Sequence, residues 1–343
     1  MKRIKQYSFL LFSALFSLLA ACENGSTNSN SLPVIKVSSA EAAYIYLDGQ
    51  YTGYKTPAEI TVTKGVHVIG VAMEETATYL RKELEVTEDM DVALTASDKP
   101  EPKVWKALWV GVHEVTGNSS TGRCSSRFSK EELDAGYDFF QWSIDNQFHP
   151  MSYNTMKWEV ERKDITTPIE LKKASNTWYT LEPESITELL PEVKPGNYDA
   201  VFVFWRESEG DCSFQSSYFG LAWTDPLNDP IKTGYITIKF NAGDDLNENI
   251  NWFKENDPGV WVHEWLHTVG ETYYQDRGER LPEKGGDGLV LHAAEKYHYT
   301  YPWMDWYGDF MSGRVKDLGS ANTYCGIGPE ALLQKSLRES AIE

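Results

Sequence analysis

The sequence predicts two domains of different class: a small all-β sandwich over residues 34–98, then an α/β domain with a mixed sheet and one functional helix over residues 104–343. Three observations predict this. All 12 Trp of the 343 residues lie from Trp105 onward, whereas residues 34–98 hold neither Trp nor Phe. Between the two regions, Lys99-Pro100-Glu101-Pro102-Lys103 carries two prolines, which favour an extended, semi-rigid spacer, so residues 99–103 are the predicted linker. Finally, the first region reads as short β-prone runs broken by turn residues, while the second alternates strand-like and helix-like segments.

Composition narrows the function. With 32 Lys+Arg against 51 Asp+Glu, the net charge of −19 repels phosphate backbones, and nucleic acid is excluded as a partner. The 12 Trp, 19 Tyr and 14 Phe are more than a solvated chain carries, which excludes global disorder. Four Cys are too few for a disulfide scaffold of this size.

Residues 1–21 read as a signal peptide. Lys2, Arg3 and Lys5 form a positive start, and the apolar run Phe9–Ala21 follows. As a helix that run spans about 20 Å, short of the roughly 30 Å hydrocarbon core, so a permanent membrane span is disfavoured. Leu19-Ala20-Ala21-Cys22 resembles the lipobox of bacterial lipoproteins. That resemblance implies cleavage before Cys22 and lipidation of its sulfur, and Glu23 in place of Asp implies sorting to the outer membrane. Residues 22–33, rich in Ser, Asn and Gly, read as the lipidated Cys and a flexible tether off the bilayer.

In the smaller domain, Ala43–Leu47 is β-prone, Asp48-Gly49 supplies the φ > 0 positions of a tight hairpin, and Gln50-Tyr51-Thr52 starts the return strand. Glu59–Thr63, Val66–Met73 and Glu83–Val86 are further strands, with Lys64-Gly65 as a turn. His67 alternates with valines and reads as an ordinary strand residue. Ser39, Glu41, Ala43, Tyr46, Asp48-Gly49, Gly53, Thr56-Pro57 and Gly65 resemble the PEGA domain, although Ala40 and Ala42 replace the Pro and Gly of its signature. The resemblance implies a surface-associated β-sandwich used as a spacer or adhesion module.

In the larger domain, Val104–Val112 reads as a strand, and Ser129-Lys130-Glu131-Glu132 caps a helix on which Leu133, Tyr137, Phe140 and Ile144 recur. Met156–Glu161, Ala200–Trp205 and Tyr235–Phe240 are strands, and Pro183–Leu190 is a short helix. Asp257-Pro258 supplies a predicted N-cap and first-turn proline for the next helix, Val260–Gly270.

That helix carries the chemistry. His263 and His267, four residues apart, project from one face and can grip one ion, and Glu264 lies about 100° round from His263, within reach of a metal-held water. Val262, Leu266, Val269 and Tyr273 form a separate stripe that packs on the core. His-Glu-x-x-His resembles the zincin metallopeptidases, which implies a Zn²⁺ cofactor, His263 and His267 as ligands, Glu264 as general base and a peptide or glycoprotein substrate. Gly270 matches the helix-breaking glycine of the metzincin group, but Tyr273 stands where that group has a histidine or aspartate. His292 is the favoured third ligand, since neutral imidazole suits zinc and the turn Gly285-Gly286-Asp287-Gly288 suggests tight re-entry; Asp276 is the alternative. Glu271, about 12 Å along the axis from His263, suits a supporting role, and His298 is a spare imidazole.

The aromatic segment Tyr301–Gly313 holds Met311, which the metzincin resemblance makes a candidate Met-turn, and Tyr307, a candidate oxyanion stabiliser. Of the three pairings open to Cys124, Cys212 and Cys325, Cys124–Cys212 is favoured because both lie in Ser-rich, loop-like segments. The reading is a lipid-anchored extracytoplasmic zinc metallopeptidase. Its rival is a surface binding lipoprotein for glycan or host protein with an inactive zincin-like domain, which the missing histidine at position 273 keeps open.

Overall fold

The computed structural model describes residues 31–343 except 121, 176, 177, 217, 241–244 and 321. The predicted signal peptide and lipidation site, Cys22, lie outside the described residues.

Seven strands build the smaller domain: β1 (Val34–Ser38), β2 (Ala43–Leu47), β3 (Gln50–Lys55), β4 (Ala58–Thr61), β5 (Gly65–Met73), β6 (Thr78–Val86) and β7 (Met90–Ala93). They form a three-stranded sheet in the order β4-β1-β7 and a four-stranded sheet in the order β3-β2-β5-β6. Ile35, Val37, Ile45, Ile69, Val71 and Leu80 fill the space between. The β2–β3 hairpin turns through Asp48 (φ 51°) and Gly49 (φ 84°), both left-handed as the sequence predicts. His67 also has a local task. It lies 2.7 Å from the Asp48 carboxylate, which holds its pKa above the ordinary imidazole value and clamps the turn to β5.

The larger domain is built on a five-stranded sheet in the order Met156–Ile165, Lys103–Val112, Ala200–Arg206, Gly234–Phe240, Gly220–Ala222. The first four strands are parallel and the last is an antiparallel edge. Both faces are covered, so the central strands are apolar on alternate and intervening residues alike. Trp105, Trp109, Phe202, Phe204, Ile236 and Ile238 face the side that carries helices Lys130–Ser143 and Val260–Gly270. Leu108, Val110, Val201, Val203 and Trp205 face the other side, against Leu181, Ile186 and Phe214. Helix Lys130–Ser143 starts with the predicted capping box, in which Ser129 accepts from the Glu132 amide and Glu132 accepts from the Ser129 amide.

Two expectations for helix Val260–Gly270 need correction. Its packing stripe is wider than Val262, Leu266 and Val269, because Trp261 sits against Phe140 and Phe202, and Trp265 against Trp105, Phe148 and Trp158. Every residue of the helix except His263 is buried, as befits an element with apolar neighbours on all sides. Its N-cap is Gly259, not Asp257; Asp257 ends the preceding helix, Leu246–Asn256.

The smaller domain is not a free spacer. Tyr46 donates to the Ser312 carbonyl at 2.8 Å, Arg81 pairs with Glu330 at 3.0 Å, and Asn154 donates to the Ala77 carbonyl at 2.7 Å. Tyr51 and Tyr324 meet with ring centroids 4.5 Å apart, and the Arg314 guanidinium lies 3.9 Å over the Tyr44 ring. Tyr46 and Tyr79, fully buried, belong to this contact and not to the sandwich interior.

Because every Trp lies in the larger domain, Trp fluorescence reports the unfolding of that domain alone. Tyr46→Phe strands the buried Ser312 carbonyl, at a cost of about 1–2 kcal/mol. Its urea midpoint read by Trp fluorescence is therefore expected to fall; an unchanged midpoint would mean the two domains unfold independently.

Candidate active site

Three imidazoles converge. One nitrogen from each of His263, His267 and His292 lies within 4.8 Å of the others, and the Nε2 atoms of His263 and His267 are 3.2 Å apart. Each ring is held from behind through Nδ1. His263 contacts the Tyr307 hydroxyl at 2.9 Å, His267 the Glu271 carboxylate at 3.2 Å, and His292 the Asp287 carboxylate at 2.5 Å. The Glu271 and Asp287 carboxylates only accept, so the Nδ1 protons of His267 and His292 point outward and their Nε2 lone pairs face the gap; the Tyr307 hydroxyl can accept from His263 in the same way. Lone pairs in that arrangement repel unless a cation sits between them. Zn–N bonds of about 2.0–2.1 Å at tetrahedral angles separate two ligand nitrogens by about 3.3–3.4 Å, close to the observed spacing. The residues present fit zinc.

Electrostatics agree with the geometry. Burial pushes the His263 and His267 pKa values below the ordinary imidazole value, and the neighbouring imidazoles push the same way, so both rings favour the neutral, ligating form. Burial would raise Glu271, but His267 and the amides of Val290 and Leu291 outweigh it and hold the carboxylate ionised. The hydrogen bond from His292 keeps Asp287 low. Glu264 is the contrast. Burial alone pushes its carboxyl up to about 8, and its Oε1 lies 4.0 Å from His263 Nε2.

Local backbone explains how these groups arrive. His263 and His267 occupy consecutive turns of one helix, whose first turn closes with the His263 amide bonded to the Gly259 carbonyl at 2.8 Å. Gly259 is required by space, since a Cβ there would sit 2.5 Å from the Tyr307 ring. His292 returns on the segment Leu291–Tyr297 after the glycine turn, where the Gly285 amide bonds the Leu289 carbonyl at 2.7 Å. A Cβ at Gly285 would lie 2.9 Å from the His292 carbonyl, so the close re-entry excludes side chains. Glu264 faces the edge strand, with room only because position 220 is glycine; a Cβ there would be 2.3 Å from its Oε1. The site opens into a cavity of about 450 Å³ bounded by that strand, Trp178, Tyr218, Trp303 and Tyr307.

Several predicted residues stand elsewhere. Asp276 ends the short helix Tyr273–Asp276, exposed and outside the triad. Tyr273 is buried, with its hydroxyl on the Lys335 carbonyl at 2.8 Å. Gly270 is the last residue of its helix, as the resemblance implies, and makes room for Phe310, whose ring would lie 2.8 Å from a Cβ. Met311 lies in the last turn of helix Met304–Ser312, fully buried, and does not line the cavity. Tyr307 contacts His263 through its hydroxyl at 2.9 Å and lines the same cavity as Glu264. Cys124 and Cys212 are joined by a disulfide, and Cys325 is free and buried. Sequence reasoning missed Asp287, Gly220 and Gly259 as site residues; only the short interval between Asp287 and His292 carried a signal, as a ring partner within one turn.

Comparison with known proteins bears on each domain separately. Residues 33–98 match the PEGA domain. Against solved structures, the chain is similar to the crystal structure of metalloproteinase-II from Bacteroides fragilis, at 10% identity, covering 69% of this chain and 74% of that chain with a TM-score of 0.25. No curated protein matches. The PEGA domain thus precedes a mixed α/β domain whose triad is zincin-like and, with Glu264, geometrically consistent with a zinc-protease active site.

His292→Ala is expected to cut zinc binding by at least tenfold in a competition titration with a chromogenic chelator, while Asp276→Ala leaves it unchanged. The pH dependence follows from the depressed imidazoles. In the zinc-free protein the imidazoles of the unfolded chain take up protons first, so their share of the stability is full above the ordinary imidazole pKa near 6.5 and declines as the pH falls below it, whereas the buried Glu264 carboxyl adds stability as the pH falls through about 8. Thermal melting of zinc-free Glu264→Gln, which lacks the opposing carboxyl, at pH 7.5 and 5.5 checks the sign of the imidazole share.

Proposed function

We propose that the chain is a zinc-dependent peptidase of the bacterial cell envelope, anchored through Cys22, that cleaves extended peptide segments of proteins or glycoproteins. The observation that carries this is the convergence of His263, His267 and His292 beside a buried, otherwise uncompensated Glu264 in one cavity. His263, His267 and His292 would hold Zn²⁺, which would supply a Lewis acid for the scissile carbonyl and lower the pKa of water. The chain's own residues do the rest. Tyr307, Glu271 and Asp287 hold the imidazoles in the ligating tautomer and orientation. Glu264, whose high pKa reflects burial without a counter-charge, is placed to accept a proton from water and pass it to the leaving amine. Trp178, Tyr218 and Trp303 restrict water in the cavity.

An extended substrate is supported by the edge strand. Gly220–Ala222 pairs on one side with Gly234–Phe240, and its other edge runs along the cavity past Glu264. A peptide added to that edge is bound by main-chain hydrogen bonds that do not depend on its sequence. The rival reading, a binding lipoprotein with an inactive domain, drew on the missing histidine at position 273. His292 fills the place that position leaves open, and no further observation favours the rival. The lipobox and its Glu23 support an envelope location at the outer membrane.

Glu264→Gln is expected to retain zinc by metal analysis and to lose about 10²–10⁴-fold in peptide turnover; cleavage at the parent rate would overturn the mechanism. Cys22→Ser is expected to abolish incorporation of labelled palmitate and to release the chain from the membrane fraction.

A further inference from the structure

The segment between the two helices ahead of the triad leaves a carboxylate with nothing to do. Asp257 ends Leu246–Asn256, and the next helix takes its cap from Gly259, so the Asp257 side chain caps neither. It lines the same cavity as His263, Glu264, Trp303 and Tyr307. Half-buried there, it has no hydrogen-bond or ion-pair partner among the described residues, and burial alone raises its pKa to about 6. A second space of about 220 Å³ shares His263, His292, Trp303 and Tyr307 with this cavity and is also lined by Leu291 and Glu295. Neither space has a lysine or arginine in its described lining.

Desolvating a carboxylate without a partner is unfavourable, and a ligand that brings the partner recovers that cost. The ligand must also suit aromatic walls. A long aliphatic stem packs against Trp303 and Tyr307, and a cationic head is favoured both by their ring faces and by the carboxylate. We propose that Asp257 is a specificity residue selecting peptides that carry a lysine or arginine side chain close to the scissile bond. This rests on the peptidase reading above and deepens it: the edge strand holds the main chain without regard to sequence, and Asp257 supplies the preference.

The test uses the zinc-loaded chain and fluorogenic peptides, acetylated and amidated at their ends, in which lysine, norleucine or glutamate occupies each of three positions on either side of the cleaved bond. The parent is expected to show a kcat/KM at least about tenfold higher for lysine than for norleucine at one position. Asp257→Asn is expected to bring that ratio near one, and Asp257→Lys to turn the preference toward glutamate. General damage to the fold lowers all rates together and does not invert a ratio. A parent ratio near one, an unchanged ratio in Asp257→Asn, or a preference that appears only when the peptide's α-amine is free would overturn the proposal. Zinc-loaded Glu264→Gln, with binding of the same peptides read by fluorescence anisotropy, separates the two readings. If the parent cleaves nothing yet this variant binds the lysine peptide selectively, the peptidase reading falls and cation recognition stands; if binding is also unselective, both fall.

Discussion

The site depends on one buried carboxylate. Glu271, 3% exposed at the end of the active-site helix, receives His267 Nδ1 at 3.2 Å and the amides of Val290 and Leu291 at 2.7 and 3.0 Å. A carboxylate in that position would be unfavourable without donors, and three donors make it a strong local tie. It sets the tautomer of one ligand and pins the return of the segment that carries another. The indole of Trp306 adds a hydrogen bond to the Leu291 carbonyl at 2.9 Å, so the third ligand is held from both sides. A triad drawn from two distant stretches of chain is thereby as fixed as the pair within one helix.

Around this tie, the rest of the domain acts as a rigid mount. The tryptophans of helix Val260–Gly270 are wedged among aromatic rings from five other elements, which leaves the helix no freedom to rotate its histidines out of register. The other wall of the cavity is secured differently. The loop leading to the edge strand is tied by the Cys124–Cys212 disulfide and by the buried pair Lys239–Glu207, and Glu207 also accepts from the Ser216 amide at 3.0 Å. The PEGA domain reaches the site at one remove. It bonds the carbonyl of Ser312, the last residue of the helix that carries Tyr307, and Tyr307 contacts His263.

Much of this was legible from residue order. A hairpin at Asp48-Gly49 follows from the need for two left-handed positions, and a helix with histidines four apart follows from the 3.6-residue turn. His292 was favoured from ligand chemistry and a glycine-rich turn, both local properties. The misreadings were of another kind. Asp257-Pro258 has the composition of a helix start, yet the cap is Gly259, where the Tyr307 ring leaves no room for a side chain. Tyr307 itself was legible as a hydroxyl near the site, but its partner lies 44 residues away and no local pattern encodes such a contact. Gly270 was read from the resemblance as the glycine at which the helix ends, and the helix does end there; only the folded chain shows that the position also yields its space to Phe310.

Residue order alone determined the two-domain division, the all-β and α/β classes, and the identity of His263, Glu264 and His267, because each rests on short-range periodicity or composition. The tertiary structure decided which side chains complete them. Glu271 and Tyr307 support the triad through contacts between segments, Asp287 through one within its own segment, Gly220 and Gly259 matter for the atoms packed against them, and Asp257 matters for the partner it lacks. Such roles are properties of three-dimensional neighbours, and a linear spacing rule does not specify them.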